Sequence, residues 1–187
     1  MKKLEAFEKL VEALESLPSI GKKSATRLAY HMAVEDGFSA MKLSHAIEHA
    51  VNSIRTCKQC HNISEDELCL ICSDPVRERA KLCIVQSAKD IISIEESGEF
   101  NGLYYVINRL EYLDDRHLKA NIETIDEIIF AFSPSIATDT MILYIEDKLS
   151  AYNIKFTKIA QGVPIGVEFE NIDKISLSRA MSSRIEV

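Results

Sequence analysis

Residues 57–72 read CKQCHNISEDELCLIC, and this stretch sets the plan of the whole chain. Cys57 and Cys60 form one Cys-x-x-Cys pair and Cys69 and Cys72 a second, with eight residues between them. Each pair can direct two thiolates at one ion, and two pairs complete a tetrahedron, the arrangement zinc favours. Four protein ligands leave no position for a catalytic water, so the site is expected to hold one structural zinc per chain. The intervening loop is shorter than the roughly 15–20 residues of the usual ribbon, which makes the module a compact knuckle. His61 adjoins Cys60, but with four thiols at hand it reads as a surface residue. Cys83 lies in the apolar run Leu82-Cys83-Ile84-Val85 and reads as a small buried hydrophobe.

The chain before the knuckle is helical in pattern. Over 3–16, Leu4, Phe7, Leu10, Val11 and Leu14 recur at spacings of three and four. Leu17-Pro18-Ser19-Ile20-Gly21 interrupts that helix, because Pro18 disfavours helical geometry before it and Gly21 permits unusual backbone angles. A second helix is predicted over 22–34, burying Ala25, Leu28, Ala29 and Met32. A third is predicted over 39–54, with Leu43, Ile47, Ala50, Val51 and Ile54 on one face. The chain after the knuckle alternates. Strands are predicted at 82–85, at 103–107, within 125–132 and at 154–159, and helices at 88–97, 138–149 and 176–183. Such alternation implies a mostly parallel α/β sheet.

The 187 residues are 47% apolar and 27% charged, the mix of a globular chain, and no apolar stretch is long enough to span a bilayer. Charges at Lys2, Lys3 and Glu5 argue against a signal peptide. A reducing cytoplasmic setting is therefore expected, in which cysteines bind metal rather than form disulfides. The net charge of −7 disfavours nucleic acid as a partner except at a local surface. One stretch qualifies. Between Glu15 and Glu35 there is no acid, while Lys22, Lys23 and Arg27 are cationic. Leu17 to Ala25 has the form of a helix-hairpin-helix turn, in which backbone N–H groups at the start of the second helix can hold a phosphate without reading a base. Lys23 and Arg27, four apart, share a helical face. The usual hairpin has two glycines in this turn, and here the first is Ser19. A plain helical packing element with solvated lysines is the competing reading.

The order of these features resembles the RecR family of bacterial recombination mediators. The hairpin Leu17-Pro18-Ser19-Ile20-Gly21-Lys22-Lys23-Ser24-Ala25 and the four-cysteine knuckle carry the likeness first. Further matches lie in Ile94-Glu95-Glu96-Ser97-Gly98-Glu99-Phe100-Asn101-Gly102-Leu103-Tyr104, in Ile159-Ala160-Gln161-Gly162-Val163-Pro164-Ile165-Gly166 and in Ser176-Leu177-Ser178-Arg179-Ala180-Met181. The expected plan is an α+β chain in several parts. A helix-hairpin-helix DNA-binding region covers 1–54, a four-cysteine zinc finger 55–78, a Toprim domain 79–160, and a C-terminal segment with oligomer contacts 161–187.

The resemblance implies a non-catalytic, DNA-binding protein of the cytoplasm and nucleoid that forms a dimer or a tetrameric ring. It would act as a clamp with RecO, and with RecF where present, to help load RecA at single-stranded gaps. DNA contacts are implied at Gly21, Lys22, Lys23 and Arg27; a proline often occupies the position of Lys22. In catalytic Toprim enzymes a glutamate follows the first strand and an Asp-x-Asp pair a later one. This chain has Gln86 at the first place and Ala137 where an acid is common, leaving Asp90 and Asp139. Gln86 transfers no proton near neutral pH and is a weak Mg²⁺ ligand. The stretch Asn108 to Thr124 departs from the family pattern and looks shortened. Two other readings are a Mg²⁺-dependent Toprim nuclease or topoisomerase-like enzyme using Asp90 and Asp139, and a protein-interaction module that does not bind DNA.

Overall fold

The structure, a computed structural model, describes residues 4–107, 122–160, 163 and 166–182. It divides into two units, Met1–Ile54 and Arg55–Val187. Most of the unusual stretch 108–124 and of the Gly/Pro-punctuated loop 161–166 lies outside the described residues.

In the first unit, helix α1 runs Glu5–Glu15 and helix α2 Lys22–Tyr30, followed by a π-helical turn His31–Glu35 and helix α3 Gly37–Ser53. Ala25 and Ala29 are fully buried where α2 meets α1, since alanines one turn apart let two helices approach closely. The Asp36 side chain caps α3 by accepting from the Ser39 N–H at 2.9 Å, and that hydrogen bond lowers its pKa.

Two expectations need correction here. Leu28 is exposed and Met32 only half-buried, because the bulkier positions of α2 splay outward around the alanine seam. The α2 helix ends at Tyr30 rather than at residue 34, where the π turn takes over. The apolar stripe of α3, including Leu43, Ile47 and Val51, is not buried within this unit, and Phe38 at its start is 82% exposed. A unit of this size has too little interior to cover every apolar face.

The second unit begins with a short antiparallel pair, β1 Arg55–Thr56 and β2 Ile63–Ser64, and the single-turn helix α4, Leu70–Ser73. Strand β3 follows at Glu78–Val85, then helix α5 Ala88–Ser97, strand β4 Gly102–Val106, strand β5 Glu127–Ala131, helix α6 Ile136–Lys148 and strand β6 Lys155–Lys158; helix α7, Lys174–Ser182, closes the described chain. The four longer strands lie in the order β4-β3-β5-β6, and every adjacent pair is parallel.

Alternate residues of β3 serve opposite faces, as a strand's two-residue period requires. Leu82 and Ile84 join Leu103, Ile128, Phe130, Met141 and Ile145 beneath α6, whereas Cys83 and Val85 join Tyr104 and Ile91 beneath α5. The sheet is therefore covered on both sides, which is why its strands read as short continuous apolar runs. Because β4 and β5 flank β3 on opposite sides, the strand order reverses beside it, which puts a topological switch point at the carboxyl ends of β3 and β5.

Candidate zinc centre and nucleic-acid interface

The four knuckle cysteines converge. All four sulfurs lie within 4.8 Å of one another, with Cys60 and Cys69 at 3.5 Å, and the residues are 0–4% exposed. A tetrahedron with Zn–S bonds of about 2.3 Å has edges of roughly 3.8 Å, so the donor set fits zinc in size and in chemistry. The backbone shapes the cup: Cys57 N–H donates to Asn62 O (2.7 Å), His61 N–H to Cys57 O (3.1 Å), and Cys69 N–H to Cys57 Sγ (3.3 Å). Hydrogen bonds among these thiols lower the pKa of Cys69 and raise those of Cys60 and Cys72, as expected of sulfurs packed closely enough to share protons. These residues hold one structural zinc. Cys83 behaves differently: burial alone pushes its thiol up to about 12, as befits an inert core residue. His61 stands at a positive φ of 63° with its ring 4.9 Å from that of Tyr105, packed against the sheet rather than in the ligand set.

The knuckle is fastened to the sheet at several points. Val106 N–H in the outer strand β4 donates to Cys60 O at 2.9 Å. Ile71 packs both on the cysteines and on the α5 side of the sheet. Arg77, just beyond the knuckle, makes a two-pronged ion pair with Glu95 of α5, which also accepts from the Tyr104 hydroxyl at 2.7 Å. None of these links was visible in the sequence, since residues distant along the chain supply them.

In the helical unit the hairpin turn has a specific geometry. Ile20 N–H donates to Leu17 O at 3.2 Å, Pro18 takes the second position, and Ser19 has φ of 67°. This is the pattern of a type II turn, whose third position normally requires glycine. Gly21, by contrast, has φ of −87° and ψ of 166°, backbone that any residue adopts, and an added Cβ there would meet nothing within 4 Å. The expectation that Gly21 supplies the unusual angle is thus corrected, and Ser19 supplies it.

Gly21 is the N-cap of α2. No side chain caps this end, and the first helical bond runs from Ala25 N to Gly21 O, which leaves the N–H groups of Lys22, Lys23 and Ser24 without helical acceptors. Lys23 and Arg27 are exposed. Lys22, also exposed, borders a groove with Glu12 and Glu15 of α1, which offset its charge.

At the switch point of the sheet Gln86 follows β3 directly and is half-buried. Asp90 is committed elsewhere: its carboxylate accepts from Ser87 N–H at 2.8 Å in the capping box of α5. Asp139 is exposed in the first turn of α6, whose N-cap is Ser135, while Ala137 adds no acid. Among the described residues, the four cysteines form the only group of three or more His, Cys, Asp or Glu side chains close enough to share a metal ion. No helix of the described residues is long and apolar enough to cross a membrane.

Fold and site together define a zinc-knuckle protein built from a helical hairpin and a Toprim-type sheet. Comparison with known families agrees along the chain: residues 7–51 match the RecR helix-hairpin-helix, 54–74 the RecR zinc finger domain of four cysteines, 80–160 the Toprim domain and 162–185 the RecR C-terminal region. The chain is 56% identical over 187 residues to Recombination protein RecR of a Nitratiruptor species, covering 99% of this chain and 98% of that one. It is 49% identical over 185 residues to the protein of that name from Helicobacter pylori, covering 98% and 96%. To that of Campylobacter jejuni subsp. jejuni it is 49% identical over 192 residues, covering all of both. The chain belongs to the RecR family.

Proposed function

We propose that this protein is a non-catalytic recombination mediator that holds the DNA backbone through the hairpin of its helical unit. The observation that carries the reading is the start of α2. Unpaired N–H groups, the positive end of the helix dipole and the exposed cations Lys23 and Arg27 occupy one stretch free of acids from residue 16 to residue 34. Gly21 leaves room there for a phosphate to approach the backbone, and Lys22 adds a weaker, partly offset charge. Such contacts bind without reading sequence.

A single weak patch on a chain of net charge −7 gains from repetition, so a dimeric or tetrameric ring that presents several hairpins to one duplex suits the electrostatics. The exposed apolar stripe of α3 supports self-association. In this reading the ring is a cytoplasmic, nucleoid-associated clamp that works with RecO, and with RecF where present, to help load RecA at single-stranded gaps. The zinc centre is structural. Gln86 and the capped Asp90 support the non-catalytic assignment, since neither offers Mg²⁺ a free carboxylate.

The test is Lys23→Glu combined with Arg27→Glu, measured by fluorescence anisotropy on labelled duplex and gapped DNA at two salt concentrations. Loss of binding and a shallower salt dependence, with folding and sedimentation unchanged, are expected. Wild-type affinity in that variant would refute the assigned surface. Mg²⁺-dependent DNA cleavage that disappears in Asp139→Asn would instead establish a Toprim enzyme.

A further inference from the structure

Between the knuckle and α5 lies a groove of about 440 Å³ that the proposed DNA contacts leave unused. Three separate elements contribute its apolar surface: Ile63 from β2, Leu70 from α4 and Ile92 from α5, with Ile71 between them. Leu70 is 87% exposed, and Ile63 and Ile92 are each about half exposed. An unbranched polar residue would serve the local fold equally well at the first position of α4, so burial within the chain does not explain Leu70. Convergence of three such side chains on one concavity is the form of a binding groove.

The charge around it has one sign. Among the described residues no lysine or arginine lines the groove. Glu96 borders it, is exposed and has no ionic partner among the described residues; Glu95 is already neutralised by Arg77. Cys69 lines it as well. Zinc held by four thiolates is a net anionic centre, because four negative ligands outweigh the charge of the ion. The loop between the cysteine pairs adds Glu65, Asp66 and Glu67, of which Glu67 is paired with Lys58. Nucleic acid is therefore repelled from this face, and a cation is drawn to it.

We infer that the groove between the zinc knuckle and α5 docks a partner protein through a short segment carrying apolar anchors and an adjacent lysine or arginine. The anchors pack on Leu70, Ile71 and Ile92, and the cation pairs with Glu96. Zinc on the four cysteines would brace α4, which lines the groove together with α5, and this would give the metal a part in partner recognition without any chemistry of its own.

The experiment uses the full zinc-loaded chain as bait for phage-displayed random peptides, followed by synthesis of the enriched sequences. Their binding is measured by fluorescence anisotropy and mapped by methyl NMR. Enriched peptides should combine leucine, isoleucine or phenylalanine with lysine or arginine, and should shift the methyl signals of Leu70 and Ile92. Leu70→Ser and Glu96→Lys, both at exposed positions, should each weaken them by about tenfold or more while leaving zinc content and circular dichroism unchanged. Lys23→Glu with Arg27→Glu should leave the peptides bound, which separates this surface from the DNA reading. No enrichment, selection of acidic peptides, mapping to another surface, or indifference to both variants would each overturn the inference. So would a smaller sedimenting species in Leu70→Ser, which would make the occupant a second copy of the chain.

Discussion

Arg77 and Glu95 face each other as a paired guanidinium and carboxylate, with the Arg77 side chain only 12% exposed and the Tyr104 hydroxyl completing the cluster. The hydrogen bond from Arg77 holds the Glu95 carboxyl below its ordinary 4.5. A depressed carboxylate pKa contributes stability that is present above the ordinary value and is lost as pH falls through 4.5 to the folded value. Glu95→Gln should therefore cost about 2 kcal/mol near neutral pH, less than the ~3–5 of a fully buried pair because Glu95 keeps some contact with water. The cost should shrink below pH 4.5. Urea unfolding of both proteins across pH checks the magnitude and the sign; a difference that does not change with pH would contradict the pairing.

The hairpin turn separates two small residues by role. Ser19 holds a left-handed conformation that costs a non-glycine residue about 1 kcal/mol, so Ser19→Gly should raise stability by up to about 1 kcal/mol despite the freer unfolded chain. Gly21→Ala should change stability by no more than about 1 kcal/mol, because its backbone angles suit alanine and the added methyl meets nothing, while alanine is a poorer N-cap than glycine. Yet that methyl stands where a phosphate would approach, so DNA affinity should fall. Denaturation midpoints and anisotropy titrations on the same two variants read both effects.

Removal of zinc should unmake more than the knuckle. Ile71 is packed on the cysteines and on the sheet alike, so its anchoring to the α5 layer depends on the metal. Metal analysis should find about one zinc per chain, and Cys57→Ser should lose the ion together with folded protein, since structural zinc contributes ~10 kcal/mol or more in small modules. A folded, zinc-free Cys57→Ser protein would exclude the structural role.

Gly102 opens β4 at a close crossing. A Cβ there would lie 2.7 Å from the Lys81 carbonyl oxygen and would collide with the Phe100 ring. Gly102→Ala should cost about 2 kcal/mol or more, visible as a lower urea midpoint.

Much of this architecture is legible from residue order, because periodicity reports local geometry directly. The short apolar runs around Ile84 and Tyr105 become adjacent parallel strands, and the alternating helices fall within a few residues of their expected bounds. The metal ligands are equally legible, since spacing alone brings each cysteine pair together. What escapes is whatever depends on neighbours. Leu43, Ile47 and Val51 do share a helix face, but a pattern cannot say what covers it, and among the described residues of its own unit nothing does. Asp90 has the chemistry of a Mg²⁺ ligand, yet its carboxylate is engaged by the Ser87 amide three residues away. Glycine composition points to Gly21 for the strained turn angle, whereas the hydrogen bond between Leu17 and Ile20 assigns that angle to Ser19.

The amide of Val106 lies on the outer side of β4 and is already bound to the carbonyl of a zinc ligand. An incoming strand that tried to extend the sheet from this side would find one rung of the ladder taken and a metal-braced loop in its path. The ion thereby helps to guard a border that, among the described residues, no further strand covers, and a chain stripped of zinc should be more prone to clumping as well as weaker.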